Sequence, residues 1–86
     1  MTEIEAVKLI LKELKRAEKL HPIWPKCFVR RASYLVEESA ECLQAANSFE
    51  DNEGINHLLR YKNKMRTEAI HAGAMAIRFL INIDKE

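Results

Sequence analysis

Two glycines, two prolines and two cysteines are all that this chain of 86 residues holds of the residues that bend, break or staple a backbone. No stretch alternates apolar with polar residues for long, so half-buried strands are excluded and an all-α chain is left. The cysteines, Cys27 and Cys42, are too few for a disulfide framework and read as reduced thiols of a cytosolic protein rather than as a bridge. The first twenty residues mix Lys with Glu throughout and lack a long apolar run, which excludes a secretory signal or a membrane span there. Neither sign of charge dominates: 14 Lys and Arg meet 13 Asp and Glu, for a net +1. A dedicated nucleic-acid binder carries a clear basic excess, so that class is excluded too.

What is present is helical periodicity in a single domain, residues 1–86, with no internal repeat. A domain this small buries only roughly 60–65% of the surface its unfolded chain exposes, so a metal or a partner subunit is a common source of stability. The first helix starts at Thr2, where Thr2-x-x-Glu5 matches a capping box, and Ile4, Val7, Ile10, Leu11, Leu14 and Ala17 form its apolar stripe. The segment HPIWP, residues 21–25, stops it. The second helix is expected from about Pro25 to Asn47, with Phe28, Ala32, Leu35, Val36, Leu43 and Ala46 facing inward. Ser48–Gly54 reads as a turn, with Asp51 or Asn52 capping a third helix from about Gly54 to Ile83 that breaks near Asn63.

The third helix has one stripe through Leu58, Met65, Ala69, Ala72, Ala76 and Phe79 or Leu80, and a second through Ile70, Gly73, Ile77 and Ile81. A helix apolar on two sides is buried on two sides. Three helices are taken not to cover both, so a second subunit is expected to complete a four-helix-type bundle, as a homodimer or homotetramer. The small residues Ala69, Ala72, Gly73 and Ala76 would let a neighbouring helix approach closely.

Acids crowd the middle of the chain. Counting 100° per residue, Glu38 lies roughly 90° and Glu41 roughly 150° from the centre of the second helix's stripe, on one side. Glu37 points further outward. On the third helix Glu68 lies roughly 70° and His71 roughly 130° from its stripe, again on one side. Surface glutamates alone mean little, since like-charged i, i+4 pairs cost only about 0.2–0.5 kcal/mol. Facing each other across the bundle, two carboxylates about 4 Å apart repel by roughly 4 kcal/mol at an effective dielectric near 20. A divalent cation would relieve that repulsion.

Glu37-Glu38-x-x-Glu41, then 26 residues, then Glu68-x-x-His71 resembles the EExxE…ExxD signature of the MazG-like all-α nucleoside triphosphate pyrophosphatases. The text around it, VEESAECLQAA and MRTEAIHAGAMAIRFL, resembles short members found in phages and mobile elements; the likeness spans about residues 24–82. It implies an oligomeric helical bundle that hydrolyses a (d)NTP to (d)NMP and pyrophosphate. It also implies Mg²⁺ ligated by Glu38, Glu41, Glu68 and His71, with Glu37 positioning water. His71 stands where the family has aspartate. Imidazole suits Mn²⁺, Fe or Zn²⁺ better than Mg²⁺; otherwise His71 would transfer a proton or contact phosphate, or the enzyme would be weakened.

Further candidates flank this motif. Trp24 would stack on a nucleobase or cap the open end of the bundle. Lys64 and Arg78 lie near the shoulder of Glu68 and His71, where either would meet a triphosphate. Two other functions fit the same residues: a non-catalytic helical interaction module, and a di-iron carboxylate protein. The second normally needs two Glu-x-x-His units, and one chain supplies one.

Overall fold

The computed structural model describes residues 1–51 and 55–85, without the side chains of residues 55–57. Three helices follow in order, α1 (Glu3–Leu20), α2 (Phe28–Glu50) and α3 (Ile55–Ile81), and no strand occurs among the described residues. No described helix is long and apolar enough to cross a membrane.

α1 begins as its sequence dictates. The Glu5 amide donates to Thr2 Oγ1 at 3.2 Å and the Thr2 amide donates to Glu5 Oε1 at 3.4 Å, so two orphan donors of the first turn are satisfied reciprocally. It ends where the amide of His21 closes on the carbonyl of Ala17 and Pro22 follows. α2 starts at Phe28, later than expected from Pro25, because Pro25 belongs to the extended linker and its carbonyl accepts from the Arg31 side chain. It also runs on to Glu50, so Ser48 and Phe49 are helical rather than part of a turn. Asp51 is the C-cap of α2; the alternative cap Asn52 and the proposed start at Gly54 lie outside the described residues. α3 passes through Asn63 unbroken, where the Asn63 side chain accepts from Arg66 at 2.7 Å.

α3 is the central element. It packs on α2 along one side and on α1 along another, while α1 and α2 do not touch. That arrangement corrects the expectation drawn from its two apolar stripes. The stripe containing Gly73 is covered by α1 of the same chain: a Cβ added at Gly73 would lie 2.9 Å from Ile10 Cδ1. Two-sidedness of α3 therefore calls for no second subunit.

The inward faces also differ from those expected. On α2, Arg31 and Ala45 are buried and Glu38 and Cys42 half-buried, whereas Phe28, Val36 and Leu43 are exposed. The Cys42 thiol reaches the Met65 carbonyl at 3.8 Å, which fixes the α2–α3 seam, and both cysteines are free. Glu38 thus lies in this seam rather than on a shoulder beside it. On α1, Leu14 and Ala17 are buried but Ile4, Val7 and Leu11 are exposed. Ala69 and Leu80 of α3 are exposed as well. For α1 and α2 the cause is shared: each outer helix has one neighbour, so one side of its broad apolar stripe has nothing to pack on; Ala69 and Leu80 lie on the side of α3 that neither neighbour covers.

Two buried arginines close the structure at one end. Arg31 donates to the carbonyls of Pro25, Asn82 (3.0 Å) and Lys85 (3.4 Å), and its guanidinium sits 5.0 Å from the Phe28 ring centre. Arg78 donates to the carbonyl of His21 at 2.5 Å and lies 4.5 Å over the Trp24 ring. Together they hold the α1–α2 linker against the end of α3.

Candidate functional site

Glu38 comes from α2, and Glu68 and His71 from successive turns of α3. Their i, i+3 spacing on α3 puts Glu68 and His71 on one side of that helix, and the α2 seam brings Glu38 up to them. His71 Nδ1 lies 3.6 Å from an oxygen of Glu38 and 3.6 Å from one of Glu68. One ligand-type atom from each of the three residues falls within 4.8 Å of the others. These same oxygens of Glu38 and Glu68 are buried and have no hydrogen-bond partner.

Glu41, one turn after Glu38, is exposed, yet its carboxyl meets Glu68. A shared hydrogen bond with Glu68, and then the charge of Glu68, push the Glu41 pKa above the ordinary carboxylate value; the charges of His71 and Lys64 pull the other way. The four residues at positions 38, 41, 68 and 71 therefore share one neighbourhood. Glu37 is exposed on the outer side of α2, and Lys64 is exposed near Glu41.

Sequence reasoning missed Glu13. It reaches the cluster from α1, with Oε2 3.6 Å from His71 Nε2. Arg16 grips it with two hydrogen bonds, of 2.7 and 2.8 Å, and chiefly for this reason its pKa falls below the ordinary value. Its only signal in the sequence was its place next to Leu14 with an arginine three residues on. Nothing in that pattern separates it from Glu18, which has Lys15 three residues before it.

Beside the cluster lies a groove of about 390 Å³. His71, Met75 and Arg78 of α3 form its floor, α1 contributes Glu13, Arg16 and Ala17, and α2 contributes Tyr34 and Glu38. Trp24 closes one end, its ring centre 5.8 Å from that of Tyr34 and tilted by 41°. The Trp24 Nε1 donor is buried without a partner. Trp24 packs at the end of the molecule, as one of the two alternatives expected, and it also lines the groove. Arg78 lines the groove too, while holding the linker through His21; Lys64 does not line it.

The site therefore combines a carboxylate–imidazole cluster able to hold a cation with an adjoining slot that has aromatic and cationic walls. Compared with models of protein families, with curated proteins and with solved structures, the chain matches none of them.

Proposed function

We propose that the chain is a metal-dependent nucleoside triphosphate pyrophosphohydrolase, converting a (d)NTP to (d)NMP and pyrophosphate, as its likeness to MazG-like proteins implies. The observation that carries this reading is the convergence of Glu38, Glu68 and His71. These residues fit a divalent cation: two buried carboxylate oxygens without donors are a costly arrangement unless a positive charge or a proton meets them. Glu38, Glu68 and His71 would hold the ion, with Glu41 adjoining through Glu68. Mg²⁺ suits the carboxylates, and the imidazole shifts preference toward Mn²⁺. When bound, the ion would neutralise phosphate oxygens and make water more acidic.

The chain's own residues would do the rest. Trp24 and Tyr34 would offer aromatic faces to a base, with Met75 as an apolar floor. Lys64, at the open side by Glu41, would meet the outer phosphates. Hydrolysis breaks the bridging P–O bond between the α- and β-phosphates; the oxygen of water stays on one product and its proton passes to a carboxylate. Glu37, on the solvent side, would orient that water and accept the proton. A homodimer or homotetramer is part of this proposal.

Purified protein with Mg²⁺ or Mn²⁺ should release pyrophosphate from at least one member of a (d)NTP panel, and Glu38→Gln or Glu68→Gln should abolish it. Release of single phosphates, or unimpaired variants, would count against the assignment. Three contacts favour a second reading. His71 stands 3.6 Å from carboxylates of Glu13, Glu38 and Glu68, and Arg16 already pairs with Glu13, so the chain's own groups lace the cluster together, as a non-catalytic helical module would need. That version predicts no turnover and no metal-dependent rise in melting temperature.

A further inference from the structure

Within the cluster His71 alone offers two nitrogens, and carboxylates stand at both ends of its ring. Nδ1 faces Glu38 and Glu68, while Nε2 faces Glu13 Oε2 at 3.6 Å. The two ring nitrogens point away from each other, so Glu13 stands outside the group that converges on Nδ1, and it comes from α1 rather than from the motif helices. Its place is fixed from two sides. Gly73 lets Ile10 close on α3, where a Cβ would lie 2.9 Å from Ile10 Cδ1, and Glu13 follows Ile10 by one turn on the same side of α1. From the solvent side Arg16 donates to both carboxylate oxygens, at 2.7 and 2.8 Å. The Glu13 side chain is only 13% exposed and cannot turn from the ring without breaking that fork.

A neutral imidazole carries one proton, and only the nitrogen that lacks it can ligate. Glu38 and Glu68 draw that proton to Nδ1, which would make His71 a donor to them and no ligand. Glu13 draws it to Nε2, which leaves the Nδ1 lone pair directed at the place where Glu38 and Glu68 converge. Once the lone pairs of Glu38 and Glu68 are committed to a cation, the balance tips toward Nε2. At 3.6 Å the Glu13 contact stands about 0.7 Å beyond a hydrogen bond, a gap that a small turn of the ring closes. A ligating histidine that gives its other N–H to a carboxylate is the usual arrangement at protein metal sites.

We propose that Glu13 is a positioning residue for His71: it accepts the Nε2 hydrogen bond, frees Nδ1 to ligate, and so makes the site select cations that take an imidazole nitrogen, such as Mn²⁺, over Mg²⁺. Without it the site keeps its two carboxylates and loses that preference. This role rests on the cation-binding part of the function proposed above and is independent of pyrophosphate release.

Calorimetric titration of the full chain with Mn²⁺ and with Mg²⁺ tests it, together with pulsed electron paramagnetic resonance of the Mn²⁺ form. Glu13→Ala should weaken Mn²⁺ binding by roughly 10–100-fold and barely change that of Mg²⁺. Nitrogen modulation in the resonance signal, which reports a ring nitrogen at the ion, should be present in the wild type and lost in Glu13→Ala. Glu13→Gln keeps an oxygen for the ring N–H and should recover part of the Mn²⁺ affinity; it also serves if Glu13→Ala unfolds by circular dichroism. In a His71→Asp background, Glu13→Ala should leave the Mn²⁺ affinity unchanged. An equal loss for both ions overturns the proposal, because Glu13 would then contribute only charge or packing. Mn²⁺ binding that Glu38→Gln removes and Glu13→Ala leaves intact overturns it while sparing the cation site. A wild type that binds neither ion overturns both.

Discussion

Glu41 separates two effects that one carboxylate usually confounds. Its pKa is raised, chiefly by the hydrogen bond to Glu68, so a proton binds the folded chain more readily than the unfolded one. That contribution to stability is full below the unfolded value and is lost as pH rises through the folded value. Near neutral pH, Glu41→Gln should therefore raise the melting temperature of metal-free protein while weakening any rise that Mn²⁺ produces. Thermal melts with chelator and with Mn²⁺ measure both arms. Glu13 behaves oppositely. Arg16 lowers its pKa, so its contribution is present above the unfolded value and lost as pH falls through the folded one. Glu13→Gln should flatten the acid limb of a plot of melting temperature against pH and leave the alkaline limb unchanged. The four motif residues were legible because type and spacing both constrain them. Glu13 was not, because a lone acid on an amphipathic helix meets its partners only through the tertiary fold.

At the scale of elements, the helices themselves were plain in the sequence: the Thr2–Glu5 cap, the stop at His21–Pro25 and the long apolar periodicity each have a local cause. The facing of α2 was not. Its apolar residues cover more than half its circumference, so their mean direction misses the line that meets α3. That line passes through Arg31, Glu38, Cys42 and Ala45, mostly polar or small, and only the partner helix reveals it. Arg31 shows how much such a residue holds. Arg31→Ala would strip three carbonyls of their donor and should destabilise the chain by roughly 2–3 kcal/mol, read by urea unfolding. The α1–α3 approach makes a second test. A Cβ at position 73 would meet Ile10 Cδ1 at 2.9 Å and also its Cγ1 and Cγ2 at 3.2 and 3.4 Å, so Ile10 must shift; that strain is offset by better helix propensity, and Gly73→Ala should stay within about 1 kcal/mol of wild type. Gly73→Leu would push the helices apart and should cost roughly 1–3 kcal/mol in the same assay.

For the molecule as a whole, metal and folding are coupled if the cluster binds an ion. Mn²⁺ at a hundred times its dissociation constant would add about 2.7 kcal/mol to unfolding, and chelator would remove it. In a domain of this size each 1 kcal/mol moves the melting temperature by roughly 4–8 °C. A chelator-sensitive shift of more than 10 °C is thus expected, and its absence would favour the ion-free module. The overall shape could not be read from the sequence. Periodicity shows that α3 is apolar on two sides, but not whether one chain or two supply the cover.

That α1 rests on α3 alone has a consequence for biosynthesis. The helix emerges from the ribosome well before the segment that shelters it, and α2 offers it no refuge in the interval. The carbonyls that Arg31 binds at Asn82 and Lys85 arrive later still. The nascent polypeptide therefore travels with a greasy, unsheltered amphipathic segment until α3 is translated, which makes its folding a late event.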